Sequence, residues 1–132
     1  MRYLADTHIW YRWHNDSRKL SRPQARALML AERRAEAIAV SAISIWELAQ
    51  LAVRGRIRTS APLEGWLNDM AGHPTVEIIP ITPQIAAEGA QLGPALPNDP
   101  ADRLIVATAR SLHLTLLTAD ERIRECGGVK IL

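Results

Sequence analysis

The chain has 132 residues, 48% of them hydrophobic, and a formal net charge of +2, which suits one domain built around one core. No run of about 18 apolar residues occurs, so no transmembrane helix is expected. Cys126 is the only cysteine, which excludes an intrachain disulfide and a cysteine-based zinc site. The first six residues, Met1 to Asp6, lack the long apolar stretch of a secretory signal, so the expected setting is the cytoplasm.

Arg2 to Ala5 reads as a short strand that stops at Asp6, and Thr7 to His14 as a helix carrying Ile9, Trp10 and Trp13. Ser21-Arg22-Pro23-Gln24 has the form of a capping box, with Ser21 as N-cap and Gln24 at N3, for a helix to about Ala35. Ala37 to Val40 is a second short apolar strand. Ser41 then caps a helix through Arg54, and Gly55 suits its C-terminal stop. Ser60 is the candidate cap of a helix from Pro62 to Met70, and Gly72-His73-Pro74 breaks the chain.

Val76 to Ile81 is rich in β-branched residues and reads as a strand. Thr82-Pro83 supplies a cap and a first-turn proline for a helix through Leu92. Gly93 to Asn98 is a loop, and Asp99-Pro100 opens a helix to about Leu112. Leu114 to Thr118 is a strand, Asp120 to Glu125 a short helix, and Val129 to Leu132 a last strand. Strands and helices alternate from end to end, which favours a single α/β domain over residues 1–132 with helices on both faces of a mostly parallel sheet. In such sheets ligands bind beyond the carboxyl ends of the strands.

Four acids stand out against this framework: Asp6, Glu47, Asp102 and Asp120. Asp6 follows the first strand and Asp120 a late one, and each is also a competent helix N-cap. Glu47 lies between Ile43 and Leu51 on one i, i+4, i+8 row of its helix, which suits either a buried acid facing a site or a helix edge where the carboxylate snorkels to water or pairs with Arg54. The sequence Asn98-Asp99-Pro100-Ala101-Asp102-Arg103 puts Asp99 at N-cap and Asp102 at N3, where the helix dipole favours both. Asp99 reads as the cap and Asp102 as the acid facing the strand ends. Thr7 and Thr118, with Ser41 and Ser44, are small polar neighbours that either cap or orient a carboxylate. Arg103 is a candidate substrate-phosphate contact. The clusters Arg33-Arg34, Arg54/Arg56/Arg58 and Arg122/Arg124 suit solvated surface, or contact with phosphate or a partner. Helical spacing places Trp10 and Trp13 in a core or dimer contact rather than against bases.

Leu4-Ala5-Asp6-Thr7-His8-Ile9-Trp10, Ser41-Ala42-Ile43-Ser44-Ile45-Trp46-Glu47-Leu48, Asp99 to Ala109 and Leu117 to Ile123 together resemble the PIN-domain family, in particular the VapC-type toxins of bacterial toxin–antitoxin pairs. The four pieces occur in the family's order and span nearly the whole chain. The resemblance implies a PIN-like α/β/α sandwich and a magnesium- or manganese-dependent endoribonuclease. It also implies an acidic metal cluster of Asp6, Glu47, Asp102 and Asp120, with Asp99 as a secondary acid. The partners it implies are an RNA substrate, a second copy of the chain, and a small antitoxin whose C-terminal segment covers the site. Hard oxygen ligands suit magnesium or manganese, and no histidine or cysteine cluster suggests zinc.

Two other readings compete. A phosphohydrolase or receiver-type domain also gathers acids at strand ends. The haloacid-dehalogenase pattern would place an acid where His8 stands, and a receiver's lysine would fall earlier than Lys130. The other reading is a catalytically silent PIN-like binding module, which loss of one acid would support; all four are present.

Overall fold

A computed structural model describes residues 1–126 and 128–132. The elements run β1 (Tyr3–Ala5), α1 (Thr7–Asn15), α2 (Arg22–Arg33), β2 (Ile38–Ser41), α3 (Ala42–Val53), α4 (Leu63–Ala71), β3 (Val76–Ile79), α5 (Pro83–Gln91), α6 (Pro100–Ser111), β4 (Thr115–Leu117) and α7 (Glu121–Cys126). A single 3-10 turn, Ser17–Lys19, links α1 to α2.

Local chemistry sets most of the helix ends. Asp6, Ser21, Ser41, Thr82 and Asp99 each accept a backbone N–H from the first turn of the helix they precede. At Ser21 the box is reciprocal, because the Gln24 side chain accepts the Ser21 N–H at 3.2 Å. Helix α3 ends in a Schellman motif. Gly55 has φ +70°, its N–H reaches the Ala52 carbonyl at 3.0 Å, and the Arg56 N–H reaches the Leu51 carbonyl at 2.9 Å.

Most element ends fall within one or two residues of the sequence reading, and three differences stand out. Helix α4 starts at Leu63 with Pro62, not Ser60, at its N-cap. Strand β3 stops at Ile79, because Pro80 has no N–H to continue the ladder. The expected last strand over residues 129–132 shrinks to one parallel bridge between Leu116 and Ile131.

The four strands form one all-parallel sheet in the order β3-β2-β1-β4. The α/β/α sandwich expected from sequence is therefore present. From β1 the chain builds β2 and β3 to one side, then crosses back to lay β4 on the other side of β1. The carboxyl ends of β1 and β4 flank the point where strand order reverses, the position where such sheets open a crevice.

Strand alternation divides the core in two. Ala5, Ile38, Val40 and Leu117 face a cluster with Ile9 and Trp10 of α1, Leu28 of α2, Leu48 of α3 and Trp66 of α4. Leu4, Ala39 and Leu116 face Ile105, Val106 and Ala109 of α6 and Ile123 of α7. Fully burying each large side chain contributes roughly 1.5–3 kcal/mol before the entropy of ordering it is subtracted. Trp10 is wholly buried, which gives it a core role. Trp13 lies at the edge of the same cluster, in tilted ring contact with His14 and with its indole N–H donated to Glu32 at 2.6 Å. Among the described residues, no helix is long and apolar enough to cross a membrane.

Candidate acidic metal centre

The crevice at the switch point is a cleft of about 320 Å³ lined by Asp6, Thr7, His8, Arg12, Glu47, Asp99, Asp102, Ile105, Ala119, Asp120 and Arg122. All four acids singled out in the sequence line it, together with Asp99. They arrive from four separate segments: the end of β1, the middle of α3, the start of α6 and the turn after β4. The parallel sheet is what makes this possible, since it points both strand ends and the following helix N-termini the same way.

Asp6 is the anchor. Its backbone N–H is bonded to the Leu117 carbonyl at 3.0 Å, which ties the end of β1 to β4. One carboxylate oxygen accepts the Ile9 N–H at 2.9 Å and the other accepts the Thr118 hydroxyl. Only 7% of the residue is exposed. Burial pushes its pKa up, and the Thr118 and Ile9 hydrogen bonds and the charges of His8 and Arg12 oppose that rise. The capping role and the site role are therefore the same geometry: one oxygen serves the helix while the carboxylate faces the cleft.

Thr118 does two jobs. Its hydroxyl donates to Asp6 and accepts the Asp120 N–H at 3.0 Å, so it sets the spacing between two of the acids. Thr7 plays the matching part on the other side. It donates to Glu47 and shares a 2.9 Å hydrogen bond with the Ser44 hydroxyl. The Glu47 carboxylate is half-buried, and its pKa is raised first by burial and then by the charges of Asp99 and Asp6, with Thr7 and His8 opposing.

Asp99 caps α6, accepting Ala101 N–H at 2.8 Å. Asp102, one turn in, has its pKa pushed up to about 7 by burial and then by Asp99, Asp120 and Glu47, despite the opposing charge of Arg122. Asp120 goes the other way. Its carboxylate takes a two-pronged grip from Arg122, Nε to Oδ1 at 3.2 Å and a terminal nitrogen to Oδ2 at 2.9 Å, and this holds its pKa below the ordinary value. The site thus concentrates carboxylates until burial and mutual repulsion push one of them, Asp102, well above the usual carboxylate range. Five carboxylates along one cleft are donors of the kind that hard divalent cations take, although among the described residues no three acidic, histidine or cysteine side chains are grouped so as to hold an ion as they stand.

Arg103 does not line the cleft. Its guanidinium turns toward the end of α5, donating to the Gly89 carbonyl at 3.1 Å and to the Leu92 carbonyl. Carbonyls at a helix C-terminus attract a cation strongly. Gly89 lets the two helices approach, with α6 atoms only 3.5 Å from where a Cβ would stand. The basic side chains that do line the cleft are His8, Arg12 and Arg122. A signal for two of them existed in the sequence: His8 and Arg12 stand at i, i+4 on α1 and so are neighbours on its surface, just beyond its N-cap Asp6.

The family model of the PIN domain matches residues 3–129. Ribonuclease VapC22 of Mycobacterium tuberculosis (strain ATCC 25618 / H37Rv) is 40% identical over 121 residues, covering 92% of this chain and 88% of that protein. Two solved structures share the fold over all of this chain. VapBC2 from Rickettsia felis, bound to a promoter DNA fragment, matches with a TM-score of 0.73 at 19% identity over 98% of that chain. DNA-bound VapBC from Salmonella typhimurium matches with a TM-score of 0.70 at 21% identity over 97% of that chain.

Proposed function

The chain belongs to the PIN-domain family, and on that footing we propose that it is a divalent-metal-dependent endoribonuclease, the toxin of a toxin–antitoxin pair. The observation that carries this reading is the convergence of Asp6, Glu47, Asp99, Asp102 and Asp120 on one cleft at the switch point of the sheet. The 40% identity to a ribonuclease over most of the chain supports the reaction class.

Asp6, Glu47, Asp102 and Asp120 would hold Mg²⁺ or Mn²⁺, with Asp99 an auxiliary acid that mainly caps α6. Such an ion would supply positive charge at the scissile phosphate and favour the deprotonated form of a water there. The protein's own residues do the positioning. Thr118 and the Ile9 N–H hold both oxygens of Asp6, and Thr7 with Ser44 holds Glu47, so these carboxylates keep their places without reorganising. Arg12 offers positive charge, and His8 a ring N–H, to a phosphodiester entering an otherwise acidic cleft. No side chain is needed as a covalent nucleophile. Single-stranded or looped RNA is the substrate that fits, because in-line attack needs an accessible backbone.

The partners proposed are a small antitoxin covering the cleft and a second copy of this chain. Helix α3 supports the homodimer: its only charged residue is Glu47, yet Trp46 is 58% exposed and Val53 76% exposed. An exposed face that apolar on a nearly uncharged helix marks an association surface.

The test is cleavage of single-stranded RNA with added Mn²⁺ or Mg²⁺. Asp6→Asn should abolish cleavage while leaving the far-ultraviolet circular dichroism unchanged. Wild-type cleavage that persists in excess EDTA would overturn the metal-dependent reading.

A further inference from the structure

Arg122 stands in a place that the acidic cluster would otherwise leave to a cation. It lies on the first turn of α7, and its own N–H bonds the Asp120 carboxylate at 2.9 Å. The side chain folds back over the cleft. One terminal nitrogen sits 2.9 Å from Oδ2 of Asp120 and 3.7 Å from Oδ2 of Asp102. It thus bridges an acid of the β4 turn and an acid of α6. Among the described residues, no other lysine or arginine is within ion-pair distance of any of the five cleft acids. Arg12 lines the cleft without making such a pair.

Those two Oδ2 atoms belong to carboxylates that the proposed function assigns to the divalent ion. Mg²⁺ demands oxygens at about 2.1 Å in near-octahedral order. The guanidinium takes up a lone pair of Asp120 Oδ2 through its hydrogen bond and, with its charge close to Asp102 Oδ2 as well, adds like charge beside the incoming ion. The two cations therefore compete. The side chain of Arg122 is 64% exposed, so it can leave without opening a hole in the core.

We propose that Arg122 is a built-in counter-ion of the Asp102–Asp120 pair, exchanged for the divalent ion when that ion binds and then free to grip an RNA phosphate at the rim. The inference rests on the metal-dependent reading above. It explains why a cleft with five acids carries one arginine on its carboxylates: the pair limits repulsion in the metal-free protein. Once released, the planar guanidinium offers forked N–H donors that match a phosphate better than an ammonium does.

The experiment is isothermal titration of Mn²⁺ into wild type, Arg122→Gln and Arg122→Lys, without RNA and above pH 7, at two salt concentrations. Arg122→Gln should bind Mn²⁺ about two- to fivefold more tightly, the scale of an exposed ion pair. The gain should shrink at high salt, which screens the pair. Arg122→Lys should fall between the other two. With Mn²⁺ saturating, Arg122→Gln should raise KM for RNA more than it lowers kcat. Equal or weaker Mn²⁺ binding by Arg122→Gln, with wild type binding normally, overturns the exchange alone. Failure of wild type itself to bind Mn²⁺ overturns the metal-dependent reading and this inference with it.

Discussion

Replacing Asp102 with asparagine should stabilise the metal-free protein at alkaline pH while destroying its activity. The Asp102 carboxyl titrates near 7 in the folded chain, against an ordinary value of 3.8. A rise of that size corresponds to roughly 4 kcal/mol of folding free energy lost when the group ionises in place. The cleft is open to solvent and an effective dielectric near 20 applies, so about 1–2 kcal/mol remains after screening. The sign follows from proton counts. Between about pH 4 and 7 the folded state holds a proton that the unfolded chain has released, so wild-type stability falls as pH rises through that window and levels off above it. An asparagine at this position cannot ionise, so the variant lacks this fall. The assay is thermal unfolding in a chelating buffer across the pH range. Above pH 7 the variant should melt about 3–8 °C higher than wild type, and the two should converge near pH 4. A variant equally stable or less stable above pH 7, or one whose advantage is the same at both ends, would refute the account of crowded carboxylates.

Metal affinity should carry the same signature: below about pH 7, where Asp102 takes up a proton, Mn²⁺ binding should weaken by up to about tenfold per pH unit, measured by calorimetry. Thr118→Val removes the hydroxyl that donates to Asp6 and accepts the Asp120 N–H, leaving buried polar atoms unpartnered. It should cost about 1–3 kcal/mol in urea unfolding and weaken Mn²⁺ binding as well. Gly55→Ala puts a side chain at φ +70° and should cost about 1 kcal/mol by the same assay, with RNA cleavage unchanged. Trp46→Asp places a charge on the exposed apolar face of α3 and should give a monomer by light scattering; an unchanged oligomer would remove α3 from the interface.

Most of the framework was legible in the sequence because it is set by neighbours. The Ser21/Gln24 box, the Thr82-Pro83 and Asp99-Pro100 helix starts and the Gly55 stop are contacts made within a few residues, so residue type and spacing suffice to read them. Short apolar runs ending in Asp6 and near Asp120 likewise announce strand ends. The last strand falls short of its sequence reading because an apolar run does not reveal how many ladder bonds it will find; the segment forms a single bridge to Leu116, made by the Lys130 carbonyl and the Leu132 N–H on either side of Ile131.

What the tertiary structure decided is which polar groups meet. Thr118 reaches Asp6 across 112 positions and Thr7 reaches Glu47 across 40, separations at which no sequence spacing carries information. Arg103 and Arg122 are both arginines beside site acids in the sequence, yet one caps α5 and the other bridges Asp102 and Asp120. Their chemistry is identical, so the choice lay with the surroundings. Gly89 brings the carbonyl end of α5 within reach of Arg103, and α7 starts beside the cleft and turns Arg122 toward it. The acids themselves were visible from the start as carboxylates in costly places. The repulsion of Asp102 by its sequence neighbour Asp99 is local, but that by Asp120 and Glu47, which helps lift Asp102 to about 7, exists only because a parallel sheet gathers distant segments at one edge.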